Sequence, residues 1–202
     1  MYLPERHDEV TSLVNYVDQQ LAAIRAAAYG LTEEQARSRP CRSALSVGGI
    51  VKHTAQGMRG ATRTLRSGPP AGPLGPEDFE RYYSGFALTA TETMTDVLAE
   101  FDAARAEYLA AIADTDPGGE SLAPSAPWQG VPEPRPILAR FYLLHQVEEM
   151  ARHAGHADIL REELDGVSVP TLVMTLEGQP ANQFFTPYQP QPGTIGAAPV
   201  VA

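Results

Sequence analysis

Apolar residues recur every three or four positions in four segments of the chain, and this period predicts four long helices. In the first segment Val17, Leu21 and Ile24 fall on one face. Gly30 follows that segment as a typical helix stop, and Ser46 precedes the second as a typical N-cap. The predicted helices cover residues 5–28, 46–66, 91–113 and 136–164.

The segments between and after these helices are rich in Pro and Gly. Residues 31–40 are expected to form a short helix or turn, and residues 77–86 a short helical lid or turn. After Gly166 the stretch TLVMTLEG predicts a short strand, and the remaining chain is expected to be extended. The sequence therefore predicts an all-α four-helix bundle over residues 1–166, followed by an irregular Pro/Gly-rich C-terminal extension over residues 167–202.

Composition and charge exclude several classes of function. The formal net charge is −10, from 25 acidic and 15 basic residues, which argues against binding to nucleic acid or to an anionic membrane. No apolar run approaches the roughly 20 residues that cross a bilayer, and the polar first ten residues do not resemble a signal peptide. Cys41 is the only cysteine, so no intrachain disulfide can form. A cytoplasmic protein that acts on a small molecule is expected.

The fourth predicted helix contains a closely spaced set of possible metal ligands. His145, Glu149 and His153 are spaced at i, i+4 and i+8, and each step turns the direction by only about 40°. The three side chains therefore share one stripe with Phe141 and Tyr142, which predicts that this stripe is buried. A buried carboxylate is costly unless it is paired, and a cation held by carboxylate and imidazole would remove that cost.

A further ligand must come from another helix. His53 is the only histidine of the second helix and falls on its predicted core face, together with Gly57 and Gly60. These small residues indicate either a closely packed helix or space for a ligand. His53, Glu149 and His153 are thus the predicted ligands of one divalent metal. Three protein ligands leave a fourth position open, as in catalytic zinc sites, although Ni²⁺, Fe²⁺ or Mn²⁺ would also suit these donors.

Other interpretations of the same residues stay open. The His/Glu stripe could be an internal hydrogen-bond network without a metal. His145 is the alternative ligand to Glu149, or a partner of the ligands, or an ordinary core histidine. Arg161 is expected to form a surface or interhelical ion pair.

Two segments resemble the DinB/YfiT-like superfamily of metal-binding four-helix bundles, in the branch of the mycothiol-dependent maleylpyruvate isomerase. They are SVGGIVKHTAQ, which contains His53, and LLHQVEEMARHAGHADILREELDG, which contains Glu149 and His153. The resemblance places these three residues at the metal-ligand positions of the superfamily and favours Glu149 over His145. It implies a DinB-like bundle in up-down-down-up order, zinc or another divalent metal, mycothiol as a co-substrate, and a homodimer.

The chain also departs from that branch. The isomerase has a separate C-terminal domain, which the extension here does not resemble. Gly60, Ala61 and Thr62 stand where relatives often carry a large aromatic residue, which indicates a roomier pocket.

The leading functional hypothesis is a metal-dependent, mycothiol-type S-transferase or isomerase acting on a small electrophilic metabolite. In this hypothesis Arg59, Arg63 and Arg140 hold carboxylate or sugar groups of the cofactor at the pocket mouth. The alternatives are a zinc metalloenzyme of the hydrolase type that needs no thiol, and a non-catalytic protein that binds a metal or small molecule.

Overall fold

The computed structural model describes residues 4–70, 72 and 74–197, and helices dominate them. The seven helices of this part are α1 (Glu9–Ala26), α2 (Glu33–Arg37), α3 (Val47–Ser67), α4 (Pro76–Ser84), α5 (Met94–Ala113), α6 (Ala139–Asp165) and α7 (Val169–Leu176). The predicted all-α class is confirmed, and the four long predicted helices correspond to α1, α3, α5 and α6.

Local sequence explains where the long helices begin and end. Asp8, Ser46 and Thr93 cap α1, α3 and α5, and each side-chain oxygen accepts a hydrogen bond from a backbone N–H of the first turn. Gly166 ends α6 in the left-handed conformation with φ of 74°, which glycine adopts without strain.

The four long helices enclose one hydrophobic core. Helix α1 packs against α5 and α6, and α3 packs against the same two helices. Helices α1, α3 and α5 each contribute an apolar stripe with helical spacing, whereas the buried face of α6 also contains Arg161. Fully buried members of the core include Val17, Leu21, Ile24, Ile50, Met58, Phe101, Tyr108 and Leu160.

The connection before α6 is more regular than predicted. Strand β1 (Glu120–Ala123) pairs antiparallel with strand β2 (Arg135–Leu138), with Glu120 opposite Leu138. A single turn of 3-10 helix lies between them at Pro127–Gln129. Because β2 holds residues 135–138 in the extended conformation, α6 starts at Ala139, three residues later than the predicted start at 136.

The predicted strand in the C-terminal extension is wrong. The TLVMTLEG stretch lies mostly in α7, whose Pro170 occupies the first turn, where a missing N–H is tolerated. Val169 and Leu172 are buried, and α7 packs against α1 and α6. The apolar run forms a helix because the surface it covers is built by two other helices.

The chain after α7 returns to the end of α1. The N–H of Gly30 donates to the carbonyl oxygen of Ile195 at 2.8 Å. The N–H of Ile195 donates to the carbonyl oxygen of Leu31 at 2.9 Å. Gly30 has φ of +79°, and a Cβ there would lie 2.5 Å from the ring of Tyr188, so both backbone and space require glycine.

None of the helices in residues 4–70, 72 and 74–197 combines the length and apolarity needed to cross a membrane.

Candidate metal centre

His53 lies in the second turn of α3 and points towards α6. Ser46 sets the start of the helix, since its hydroxyl oxygen accepts from the N–H of Gly49 at 3.1 Å. The half-buried imidazole contacts three other rings, with centroid distances of 4.6 Å to Phe86, 5.5 Å to Tyr82 and 5.1 Å to His153. Helix α3 thus brings its only histidine beside the second predicted ligand.

His153 and Glu149 lie one turn apart on α6, at the edge of its buried face. Nε2 of His153 is 3.8 Å from Oε2 of Glu149, which is too long for a hydrogen bond. His153 is 21% exposed and Glu149 39% exposed. His153 therefore lies beside both of the other predicted ligands, His53 of α3 and Glu149 of its own helix.

Burial keeps both imidazoles neutral. Desolvation and, to a smaller extent, the neighbouring His153 together lower the pKa of His53 to about 4. Desolvation also lowers the pKa of His153, although the carboxylate of Glu149 opposes this shift. A neutral imidazole has a free lone pair, which is the form that binds a metal ion.

The cluster has the chemistry of a metal-ligand set. Within the described part of the chain, neither His53 nor His153 makes a hydrogen bond, although both are half-buried. The nitrogen lone pairs of the two adjacent imidazoles are therefore available to a ligand that both rings share. Two nitrogens and a carboxylate are donors that zinc accepts readily.

The structure corrects the prediction that the whole His/Glu stripe of α6 is buried. His145 is 45% exposed and Phe141 61% exposed, whereas Tyr142 is buried. The reason is the drift of the helix, because three steps of four residues rotate Phe141 by about 120° away from His153. The buried face instead follows Tyr142, Gln146, Met150, Ala154, Ala157 and Leu160.

His145 belongs to a second, exposed group of possible ligands. Its Nδ1 lies 3.1 Å from Oε2 of Glu148, and ligand atoms of His145, Glu148 and Glu149 all lie within 4.8 Å of one another. Glu149 therefore stands between this group and the half-buried pair of His53 and His153. His156, one turn beyond His153, is engaged elsewhere, with Nε2 2.8 Å from the Ser43 hydroxyl.

The three arginines predicted to hold the cofactor have different surroundings. Arg59 lies 3.4 Å from the carboxylate of Glu100, and Arg140 lies 3.1 Å from that of Glu9. Arg63 is exposed on α3. Gly57, on the predicted core face of α3, is exposed, and a Cβ there would meet nothing within 4 Å in the described residues.

The sequence analysis did not predict the aromatic side chains that lie beside His53. Tyr82 and Phe86 contact the imidazole and each other, with a ring distance of 4.9 Å between them. Segment 77–86 is predicted only as a short lid or turn. The spacing of Phe79, Tyr82, Tyr83 and Phe86 at i, i+3, i+4 and i+7 is the signal that could have identified this aromatic face.

Comparison with known protein families gives a match over most of the chain. A search of the curated proteins finds no significant match. The family model described as Mycothiol-S-transferase matches residues 12–166, from the second turn of α1 to the end of α6, and includes His53, Glu149 and His153. The match spans well over half of the chain, and the chain therefore belongs to the mycothiol S-transferase family, within the DinB-like proteins.

Proposed function

We propose that this protein is a metal-dependent transferase or isomerase that uses mycothiol to attack a small electrophilic metabolite. The observation that carries the proposal is the meeting of His53 and His153, two half-buried neutral imidazoles from different helices, beside the carboxylate of Glu149. The family match over residues 12–166 supports the choice of thiol.

His53, Glu149 and His153 would hold one divalent cation, zinc in preference to Ni²⁺, Fe²⁺ or Mn²⁺. When bound, such a cation supplies Lewis acidity that favours the deprotonated form of a thiol near neutral pH. The protein contributes neutral imidazoles as donors and the negative charge of Glu149 to offset that of the cation. Phe86 and Tyr82 shield one side of His53 from water.

The proposed reaction joins the thiol sulfur to an electrophilic carbon. In a transfer reaction the leaving group departs with its bonding electrons and the thiol proton goes to solvent. In an isomerisation the carbon–sulfur bond later breaks and the thiol is regenerated. Of the three predicted arginines we assign Arg63 to a carboxylate or sugar group, because Arg59 and Arg140 lie in ion pairs with Glu100 and Glu9.

Elemental analysis tests the ligand set. We expect about one divalent metal per chain, because His153 has a second imidazole on one side and a carboxylate on the other. His53→Ala and His153→Ala should each abolish metal binding, whereas His145→Ala should retain it. Loss of the metal in His145→Ala with retention in His53→Ala would instead assign the metal to the exposed group of His145, Glu148 and Glu149.

Calorimetric titration of the metal-loaded protein with mycothiol tests the thiol dependence. We expect binding, and turnover with a panel of electrophiles that His53→Ala abolishes. Turnover without any thiol would favour a hydrolase-type metalloenzyme. Bound metal with neither thiol binding nor turnover would favour a non-catalytic binding protein.

The same proposal includes an architecture. The four long helices would form a DinB-like bundle in up-down-down-up order over residues 1–166, with residues 167–202 as an extension. A cytoplasmic homodimer would fit the family resemblance and the thiol chemistry. Sedimentation analysis of the metal-loaded protein would measure the oligomeric state.

A further inference from the structure

Helix α4 and the turn after it carry an aromatic stripe, made of Phe79, Tyr82, Tyr83 and Phe86. Successive members are three or four residues apart, so all four rings fall on one helical face. None of the α4 residues is buried, and Phe79, Tyr82 and Tyr83 are 40%, 52% and 66% exposed. A stripe of this kind usually faces a core, so its exposure indicates that it serves binding.

The aromatic stripe is continuous with the candidate metal centre. Phe86 and Tyr82 contact the ring of His53, and Tyr83 lies 5.5 Å from Tyr82 between ring centroids. The stripe thus runs from a predicted metal ligand outward to solvent. A molecule that reacts at the centre would lie against these rings.

Two glycines set the position of Phe86, which is the end of the stripe nearest to His53. A Cβ on Gly49 would overlap the carbonyl oxygen of Phe86, and a Cβ on Gly85 would overlap the side chain of Gln56. Both glycines therefore permit the turn after α4 to press directly onto α3. This close approach sets the position of Phe86 over His53.

The charges around the stripe restrict what it can bind. Glu77, Asp78 and Glu80 border it on α4, and the only base of that helix, Arg81, lies 3.3 Å from the carboxylate of Asp78. The whole chain carries a formal charge of −10. These surroundings disfavour an anionic group, and the ring faces can stack on another planar ring.

We infer that the aromatic stripe binds the electrophilic co-substrate and selects electrophiles with an uncharged aromatic or similarly planar group. The inference rests on the proposed function, since it names the substrate class of the same site. For an aryl halide, the thiol sulfur bonds to the ring carbon, the halide leaves with the electrons of its bond to carbon, and the thiol proton goes to solvent.

Kinetics of Tyr83→Leu test this selection. Among the rings of the described residues, Tyr83 contacts Tyr82 and Phe86 and not His53, so the centre should stay intact. The substrates are mycothiol with 1-chloro-2,4-dinitrobenzene, which is aromatic, or with iodoacetamide, which is not. Loss of one ring contact should raise the KM for the aromatic electrophile about 3- to 10-fold and leave the KM for iodoacetamide unchanged.

Trp128→Leu is the control, because the exposed ring of Trp128 lies between the two strands, and it should change neither KM. An equal effect of Tyr83→Leu on both substrates, or none on either, would overturn the inference.

Equilibrium dialysis of the metal-free protein with 1,3-dinitrobenzene separates this inference from the proposed function, because it needs neither metal nor thiol. We expect binding that weakens about 3- to 10-fold in Tyr83→Leu and is unchanged in Trp128→Leu. Such binding in a protein without thiol turnover would defeat the proposed function and keep the aromatic selection. Binding that Tyr83→Leu does not weaken, or a dimer that this substitution splits, would overturn the selection, the latter because a second copy would cover the stripe.

Discussion

Asp158 carries a buried carboxylate oxygen that finds no hydrogen-bond partner in the described part of the chain. Desolvation raises the pKa of this carboxyl, and the negative charge of Glu162 one turn later raises it further. A carboxyl with a raised folded-state pKa stabilises the protein while it is protonated. That contribution is lost as the pH rises through the folded pKa.

Asp158→Asn is therefore expected to increase the free energy of unfolding at pH 7. The amide cannot ionise, so the cost of a desolvated charge disappears. The advantage of the variant should shrink as the pH falls below the folded pKa, where wild-type Asp158 is itself neutral. Urea unfolding at a series of pH values measures this, with Glu133→Gln at an exposed position as the control. An advantage that does not depend on pH would contradict the assignment to charge.

At the scale of the element, two glycines of α3 have opposite surroundings. A Cβ on Gly49 would overlap the backbone of Phe86, whereas a Cβ on Gly57 would meet nothing within 4 Å in the described residues. Glycine costs a helix interior about 1 kcal/mol relative to alanine. Of these two glycines, only Gly49 is required by close packing.

Gly57→Ala should therefore stabilise the protein by up to about 1 kcal/mol. Gly49→Ala should destabilise it by about 1–3 kcal/mol, since backbone must move to admit the methyl group. Thermal unfolding followed by circular dichroism compares the two variants directly. Equal effects of the two substitutions would show that the turn after α4 does not press on α3.

Helix periodicity predicted the long elements well, because α1, α3 and α5 bury continuous stripes and begin at side-chain caps. It failed where tertiary contacts decide the structure. The run in α7 is short and rich in β-branched residues, so its pattern resembles a strand until α1 and α6 provide the surface it covers.

In the candidate site, too, some features follow from the sequence pattern and others depend on tertiary contacts. The meeting of His53 and His153 could be predicted, because each lies at the edge of a core stripe. The exposure of His145 and the position of Phe86 over His53 depend on how helices rotate and how closely they approach. Spacing within one segment does not contain that information.

At the scale of the whole molecule, the C-terminal extension packs over buried polar contacts that join α6 to the end of α1. Arg161, predicted to form a surface or interhelical ion pair, is fully buried and pairs with Asp165 of the same helix at 2.8 Å. It also donates to the carbonyl oxygens of Ala27 and Tyr29, and the ring of Tyr188 covers it with 5.5 Å to the ring centroid. The extension thus shields a buried cation that holds α6 to the end of α1.

Neighbouring phenylalanines of the extension test whether it unfolds together with the helices. Phe185 is 6% exposed and Phe184 89% exposed, although they are adjacent in the chain. Phe185→Ala should lower the free energy of unfolding by about 3 kcal/mol, because it removes a buried aromatic ring, and Phe184→Ala should have almost no effect. Far-ultraviolet circular dichroism is the appropriate measurement, since most of its signal comes from the long helices and little from α7 and the irregular chain after it. If the extension and the four long helices form one cooperative unit, Phe185→Ala shifts the helical transition itself and leaves it a single step. A helical transition that stays unchanged in Phe185→Ala would mean that the extension unfolds separately, and its contacts with Gly30 and Arg161 would then contribute nothing to the stability of the long helices.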